Sequence, residues 1–277
     1  MSQSNLLNLQ MEGTPGSWIV EDMLFDILTA YLPIVSPVTA LEAAQEIDKL
    51  FPSHRAEIAG EERESPGSFL AEFWDLFFRV TSQISYATDG MDRAVQLIQA
   101  LHGLPSETIQ LQGDRSAELW SDLPYMSMAW SERFNQTTEL KKQRNLIGLR
   151  ALMMNEDIGG GHARALRSLQ NSFECELDSP DDPVVMQGHL PIALVWLEVS
   201  TLKLWQCCKE EALQQEDSAI TIWEGKKGFS TARFQFWLDR LIQKEMRQGL
   251  DEVYAEQVER VLRNMTKIMG DKAAGAI

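Results

Sequence analysis

The sequence has few basic residues and no long hydrophobic run. Its 25 Lys and Arg stand against 41 Asp and Glu, which gives a formal net charge of −16. A chain of that sign repels the phosphates of nucleic acid and of anionic lipid. The best apolar run, Leu190 to Leu197, is far too short to cross a bilayer. We therefore expect no nucleic-acid partner and no membrane partner.

Cysteines are also scarce, and they do not suit a disulfide framework. There are 3 of them, and Cys207 and Cys208 are adjacent. An odd, unspaced set is typical of a reducing compartment. The start of the chain, MSQSNLLNLQMEG, has no basic segment followed by an apolar one, so it does not predict a secretory leader. Both observations favour a cytoplasmic protein in which the cysteines are structural.

The sequence lacks the usual motifs for metals, nucleotides and activated nucleophiles. Its 4 histidines have no zinc-type spacing, and no G-x-S-x-G elbow is present. The glycines of EDIGGGHARAL follow a predicted helix and lack the lysine of a phosphate loop, so they predict a helix end and a turn. Asp181 and Asp182 lie between two prolines, which favours a turn over a magnesium site. We expect no metal and no cofactor.

What the sequence has in quantity is the 3.6-residue hydrophobic period of amphipathic helices, without strand-like alternation. Thr39 followed by Glu42 is a capping-box pattern, and Ser65 and Pro66 suit another helix start. The predicted helices run over residues 17–32, 39–51, 65–84, 89–101, 119–134, 138–157, 163–177, 191–213, 230–248 and 251–269.

This pattern predicts an all-α fold, a single compact bundle of about nine or ten helices with no sheet. The predicted domain covers residues 17–270, between a flexible N-terminus, residues 1–16, and a flexible C-terminus, residues 271–277. Short loops and the absence of a low-complexity linker favour one domain. A division near the SPDDP turn at residues 179–183 is the alternative.

Aromatic and methionine side chains are in surplus, with 8 Trp and 12 Met. In GFSTARFQFWLDRL, residues Phe234, Trp237 and Leu241 form a core-facing stripe, whereas Phe236 lies off it between two arginines. Such side chains line adaptable apolar pockets in some proteins and fill irregular cores in others. The sequence leaves both interpretations open.

Several segments resemble, in the same order, a family of fungal proteins catalogued as domain of unknown function 3632. They are ILTAYLPIVSPVTALEAAQEIDKLFPSHR, ESPGSFLAEFWDLFFRVTSQISY, DRAVQLIQALHGLPSETIQL, LWSDLPYMSMAW and GFSTARFQFWLDRL. The resemblance implies a fungal origin, a cytosolic all-helical protein and no family-wide activity, cofactor or catalytic residue. The chain departs from the family in its middle, at NEDIGGGHARAL and after Asp178.

Two hypotheses about function follow. In the first, the protein binds a hydrophobic small metabolite of secondary metabolism and is a cofactor-independent cyclase, isomerase or Diels–Alderase-like pericyclase that holds one reactive conformer. The candidate catalytic residues are Tyr125, His189 and Arg233, and the candidate substrate-binding residues are Met126, Met128, Trp130, Trp196, Phe236 and Trp237. In the second, it is a non-catalytic interaction or carrier protein with an acidic helical surface and a protein partner. An exposed apolar patch would favour the second hypothesis.

Overall fold

The computed structural model describes residues 7–12, 18–56, 63–113, 115–175, 189–214, 221–243 and 250–270. Over these residues the chain forms eleven α-helices and one two-stranded sheet. The prediction of a mostly helical protein is confirmed. By its internal contacts the chain divides into two compact units, residues 1–149 and 150–277.

The first unit holds the sheet and the helices of the N-terminal half. Its elements are α1 (Ile19–Tyr31), α2 (Ala40–Lys49), α3 (Pro66–Thr81), α4 (Asp89–His102), β1 (Thr108–Leu111), β2 (Arg115–Glu118), α5 (Met126–Gln136) and the start of α6 (Leu140–Asn155). The predicted capping box at the start of α2 is present, since Thr39 and Glu42 bond reciprocally. The helix α3 packs against α1, α5 and β1, and it carries most of the aromatic core.

The prediction that the protein has no sheet is wrong. The strands β1 and β2 form an antiparallel hairpin between α4 and α5. Ile109 lies opposite Ala117, and the turn is at Gly113. Each strand has only four residues, and only Ile109 is fully buried. Alternation over so short and polar a pair is too weak to distinguish from a loop.

The helix predicted over 119–134 begins only at Met126, in α5. Leu123 and Tyr125, on either side of Pro124, both have a left-handed backbone, with φ of 47° and 67°. A residue before proline avoids the right-handed helical region, so this turn interrupts the helical pattern.

The second unit contains the end of α6 and five further helices. They are α7 (His162–Phe173), α8 (Leu190–Val199), α9 (Thr201–Lys209), α10 (Thr231–Ile242) and α11 (Glu252–Gly270). All eight residues from Leu190 to Leu197 are buried, and α8 packs against α7, α9 and α11. A helix that is apolar on every face belongs in the centre of a core, and α8 is the central helix of this unit.

The helix count is eleven because the helix predicted over 191–213 is two helices over the described residues. Ser200 leaves the helical conformation, with φ −123° and ψ 25°, and its hydroxyl donates to the carbonyl of Ala151 at 3.0 Å. This bond to the backbone of α6 competes with continuation of the helix.

Other predictions stay untested. One domain over residues 17–270 stays a prediction. The helix predicted over 230–248 ends at Ile242, because Gln243 leaves the helical conformation, with φ −59° and ψ 136°. Residues 244–248, the turn at Asp181 and Asp182, and most of the predicted flexible termini lie outside the described residues. Among the helices of the described part of the chain, none is long and apolar enough to cross a membrane.

Candidate functional site

Four of the predicted site residues lie in the first unit, on or beside α5. Met126 and Trp130 are buried in its core. The ring nitrogen of Trp130 donates to the carbonyl of Leu146 at 3.2 Å, and the ring stacks on Phe134 with centroids 5.1 Å apart. Met128 is 48% exposed. Of these residues, Met126 and Trp130 therefore belong to the core, whereas Met128 lies at the surface.

Tyr125, the fourth of these residues, is positioned by the start of α3. Ser65 accepts from the amide of Ser68 as N-cap, and Pro66 occupies the first turn. Gly67 leaves room for the tyrosine, since a Cβ there would lie 3.0 Å from the phenol oxygen. The S-P-G run thus both begins α3 and seats Tyr125.

In the second unit, Arg233 and Trp237 meet at a buried carboxylate, Glu174. Arg233 donates from Nε to one oxygen of Glu174 and from its second terminal nitrogen to the other, both at 2.7 Å. The ring nitrogen of Trp237 donates to Glu174 at 2.7 Å as well. All three side chains are essentially excluded from solvent. Glu174 could not be recognised from the sequence, because a glutamate in the acidic run ECELD has the pattern of a solvated surface residue.

Other residues of the stretch GFSTARFQFWLDRL also have packing roles. Ser230 is the N-cap of α10 and accepts from the amide of Arg233 at 3.1 Å. Gly228 has a φ of 66°, and a Cβ there would lie 2.5 Å from the carbonyl oxygen of Ala212. The half-buried Phe236 contacts Trp223, with ring centroids 5.3 Å apart. The contacts of this stretch hold α10 against the end of α7 and against the segment after α9.

The last two predicted residues, His189 and Trp196, belong to α8. His189 is half-buried at the N-cap and already has helical dihedral angles, φ −81° and ψ −44°. Trp196 is seven positions further along the chain, so both lie on one face about two turns apart. Ala193 lies between them on that face and is fully buried.

Trp196 differs from the other buried tryptophans of the second unit that have been described. Its side chain is 0% exposed. Its ring N–H reaches no hydrogen-bond acceptor among the residues that the structure describes. Trp237, also buried, donates to Glu174. The indole N–H of Trp196 is therefore a buried donor without an acceptor in the described part of the chain.

The glycines at 159–161 lie between α6 and α7, as the sequence predicts. Arg150 donates to the carbonyl of Gly159 at 2.6 Å. Burial, with a smaller contribution from the charge of Arg164, lowers the pKa of Arg150 to about 10. The guanidinium stays protonated at neutral pH, and it stabilises the turn by its bond to the backbone.

The adjacent cysteines are buried thiols. Burial raises the pKa of Cys207 to about 11, and it raises the pKa of Cys208 further. Cys175 is exposed. Across the described ranges, no group of three or more His, Cys, Asp or Glu side chains is arranged to hold a metal ion.

Comparison with known families assigns the chain to one of them. A family model described as a protein of unknown function, DUF3632, matches residues 74–241. The chain belongs to this family. The match spans more than half of the chain and covers α10 as far as Leu241, including Arg233, whereas the S-P-G run at the start of α3 precedes it. No curated protein and no solved structure matches.

Proposed function

We propose that the second unit binds a hydrophobic small molecule through α8, with an oxygen atom of the ligand accepting from the indole N–H of Trp196. One observation carries the proposal: this N–H is fully buried and has no acceptor among the described residues. A buried donor left without a partner costs about 1–3 kcal/mol. A ligand that supplies the acceptor removes that cost.

The surroundings of Trp196 define the class of ligand. The residues of α8 from Leu190 to Leu197 are all apolar or aromatic. A charged ligand beside Leu190 to Leu197 would lose its hydration without a charged partner among those eight residues. A neutral, largely hydrocarbon molecule with a carbonyl, ether or hydroxyl oxygen fits this environment.

A catalytic role would use the same face of α8. An N–H aimed at a carbonyl oxygen stabilises negative charge that develops there, and an imidazole two turns away can move a proton. Cyclisation or isomerisation of a bound conformer needs no more than these groups and an apolar wall. In this proposal the protein is a cytoplasmic, cofactor-independent cyclase, isomerase or pericyclase of fungal secondary metabolism. The family resemblance and the lack of nucleophile motifs support it.

The roles of Arg233 and Trp237 in this proposal are indirect. Their polar atoms already bond to Glu174. They hold α10 against the end of α7, and α7 packs against α8. We therefore assign them to positioning the unit and leave ligand contact to His189 and Trp196.

The experiment is to incubate the purified full-length protein with an organic extract of its source cells. Mass spectrometry then compares what is retained or altered against a boiled control. A compound retained by the wild type and lost with Trp196→Phe supports the site, and a compound converted to an isomer of equal mass supports catalysis. Equal retention by Trp196→Phe, or no retention, contradicts the proposal.

A second candidate function is binding of a protein partner by the first unit. Three apolar side chains between α1 and the first turn of α2 are exposed: Ile34 by 40%, Val35 by 64% and Leu41 by 53%. Such a surface favours protein association. A cross-linked complex that forms with the wild type and is lost with Val35→Asp, while the fold is kept, would support this candidate.

A further inference from the structure

A histidine in the first unit connects α2 to the hairpin through two carboxylates. Nε2 of His54 lies 2.5 Å from a carboxylate oxygen of Glu107, the residue before β1. Nδ1 lies 3.0 Å from the backbone carbonyl of Asp48 in α2 and 3.2 Å from its carboxylate. All three side chains are partly exposed. None of them belongs to the site proposed above.

The partners of His54 determine its charge. Both ring nitrogens face oxygen atoms that can only accept, when the two carboxylates are ionised. A neutral imidazole carries one N–H, so one of its nitrogens would direct a lone pair at an acceptor. The doubly protonated ring donates to both sides. The geometry therefore selects the imidazolium form.

The charged groups nearby reinforce this selection. Asp48 and Glu107 contribute negative charge at the ring. The neighbouring cations pair with other carboxylates, Lys49 with Glu46 and Arg55 with Glu64. On β2, the carboxylate of Glu118 accepts from the hydroxyls of Ser106 and Thr108.

The balance of these effects raises the pKa of His54. Burial alone would lower it, but the hydrogen bonds and negative charges of Glu107 and Asp48 together outweigh burial. The shift therefore has the direction that the hydrogen-bond geometry requires.

Asp48 also connects His54 to the aromatic core. The second carboxylate oxygen of Asp48 accepts from the ring nitrogen of Trp120 at 2.6 Å. Trp120 follows β2 and is almost fully buried, and the amide of the preceding residue, Leu119, donates to the carbonyl of Glu107 at 2.9 Å. The hydrogen bond between Asp48 and Trp120 thus connects the protonation state of His54 to the end of the hairpin.

We infer that Asp48, His54 and Glu107 form a pH-dependent bridge that holds the hairpin against α2 when His54 is charged. The bridge weakens when His54 loses its proton. The ring then can donate to only one carboxylate, and the other contact becomes repulsive. The stabilisation is complete below the unfolded-state pKa of about 6.5. It is lost as the pH rises through the higher folded-state value.

The test is an NMR titration of the full-length protein between pH 5 and about 9, following the His54 ring and the indole N–H of Trp120. We expect a His54 midpoint above about 6.5 and an inflection of the Trp120 resonance at the same pH. Glu107→Gln keeps the shape and removes the charge, so both midpoints should fall together. His102→Gln, at the exposed end of α4 in the same unit, is the matched control and should leave both unchanged.

Resistance to urea provides a second readout that does not depend on the variants' spectra. For the wild type, the midpoint concentration of urea should fall as the pH rises above about 6.5, and His54→Gln should remove that dependence. A His54 midpoint at or below its ordinary value would overturn the inference. So would a Trp120 resonance that shows no inflection at the His54 midpoint.

Discussion

Arg233 and Glu174 form a two-pronged ion pair in the interior of the second unit, with both N–O distances at 2.7 Å. Arg233 also donates to the carbonyl of Gly228 at 2.7 Å, and Glu174 also accepts from Trp237. Each charge is therefore surrounded by partners. The pair joins the end of α7 to the start of α10 at a point where neither group has access to water.

Removing one member of this pair should be costly, because the other stays behind as a buried charge. We expect Arg233→Gln to lower the free energy of unfolding by about 3–5 kcal/mol. The matched control is Arg260→Gln, whose partner Glu198 lies 2.9 Å away in a half-exposed pair, and it should cost no more than about 1 kcal/mol. Urea denaturation measures both. Equal losses would show that the Glu174 pair is no more than a surface contact.

Gly228 should not tolerate a side chain. A Cβ there would lie 2.5 Å from the carbonyl oxygen of Ala212, and the backbone is left-handed. Gly160 has a similar φ of 76° with nothing within 4 Å of its Cβ position. Gly160→Ala should therefore show the left-handed penalty alone, about 1–2 kcal/mol. Gly228→Ala should cost at least about 1 kcal/mol more from the added clash.

The same denaturation experiment separates these two effects. If both alanine variants lose equal stability, the close approach of Gly228 to the segment after α9 is absent in solution.

Trp237 and Trp196 of the second unit should differ in how much stability the protein loses when the indole N–H is removed. Trp237→Phe removes a donor to a buried carboxylate and should cost about 1.5–3 kcal/mol beyond the lost ring volume. Trp196→Phe removes a donor that has no acceptor among the described residues, so it should cost less. Thermal or urea unfolding of the two variants compares them directly. A loss at Trp196 as large as that at Trp237 would indicate an acceptor within the protein.

The three thiols should differ in reactivity towards iodoacetamide. A thiol reacts as the thiolate, which predominates only above its pKa. At pH 8 the exposed Cys175 should be alkylated, while Cys207, with a pKa of about 11, and Cys208 should not react. Reaction of the buried pair should increase towards pH 11 or on unfolding. Mass spectrometry of the peptides measures this, and rapid labelling of Cys208 in the folded protein at pH 8 would contradict it.

The helices were predictable from local pattern because their signals lie within one turn of the chain. The capping box at Thr39 is present as predicted. The helices predicted to start at residues 65 and 230 also begin there, with Ser65 and Ser230 as N-caps. The errors arise where distant contacts outweigh the local pattern. Ser200 ends α8 because its hydroxyl bonds to Ala151, 49 residues away in the sequence.

The candidate site was less predictable than the helices. Helical spacing correctly separates Phe236 from the buried face of Phe234 and Trp237. It does not show which polar partner each buried side chain reaches. Glu174 lies 59 positions from Arg233, and nothing in the run ECELD distinguishes it from a solvated acid. Similarly, no sequence signal marks Trp196 as a tryptophan whose N–H reaches no acceptor among the described residues.

The most direct test of a ligand at Trp196 follows the indole N–H resonances of the full-length protein while the compound retained from the extract is added. Trp196→Phe assigns the Trp196 resonance by its disappearance, and Trp130, whose N–H already donates to Leu146, is the internal control. The account predicts that the Trp196 resonance shifts with added compound and that the Trp130 resonance does not. A Trp196 resonance that stays fixed at saturating compound would contradict it.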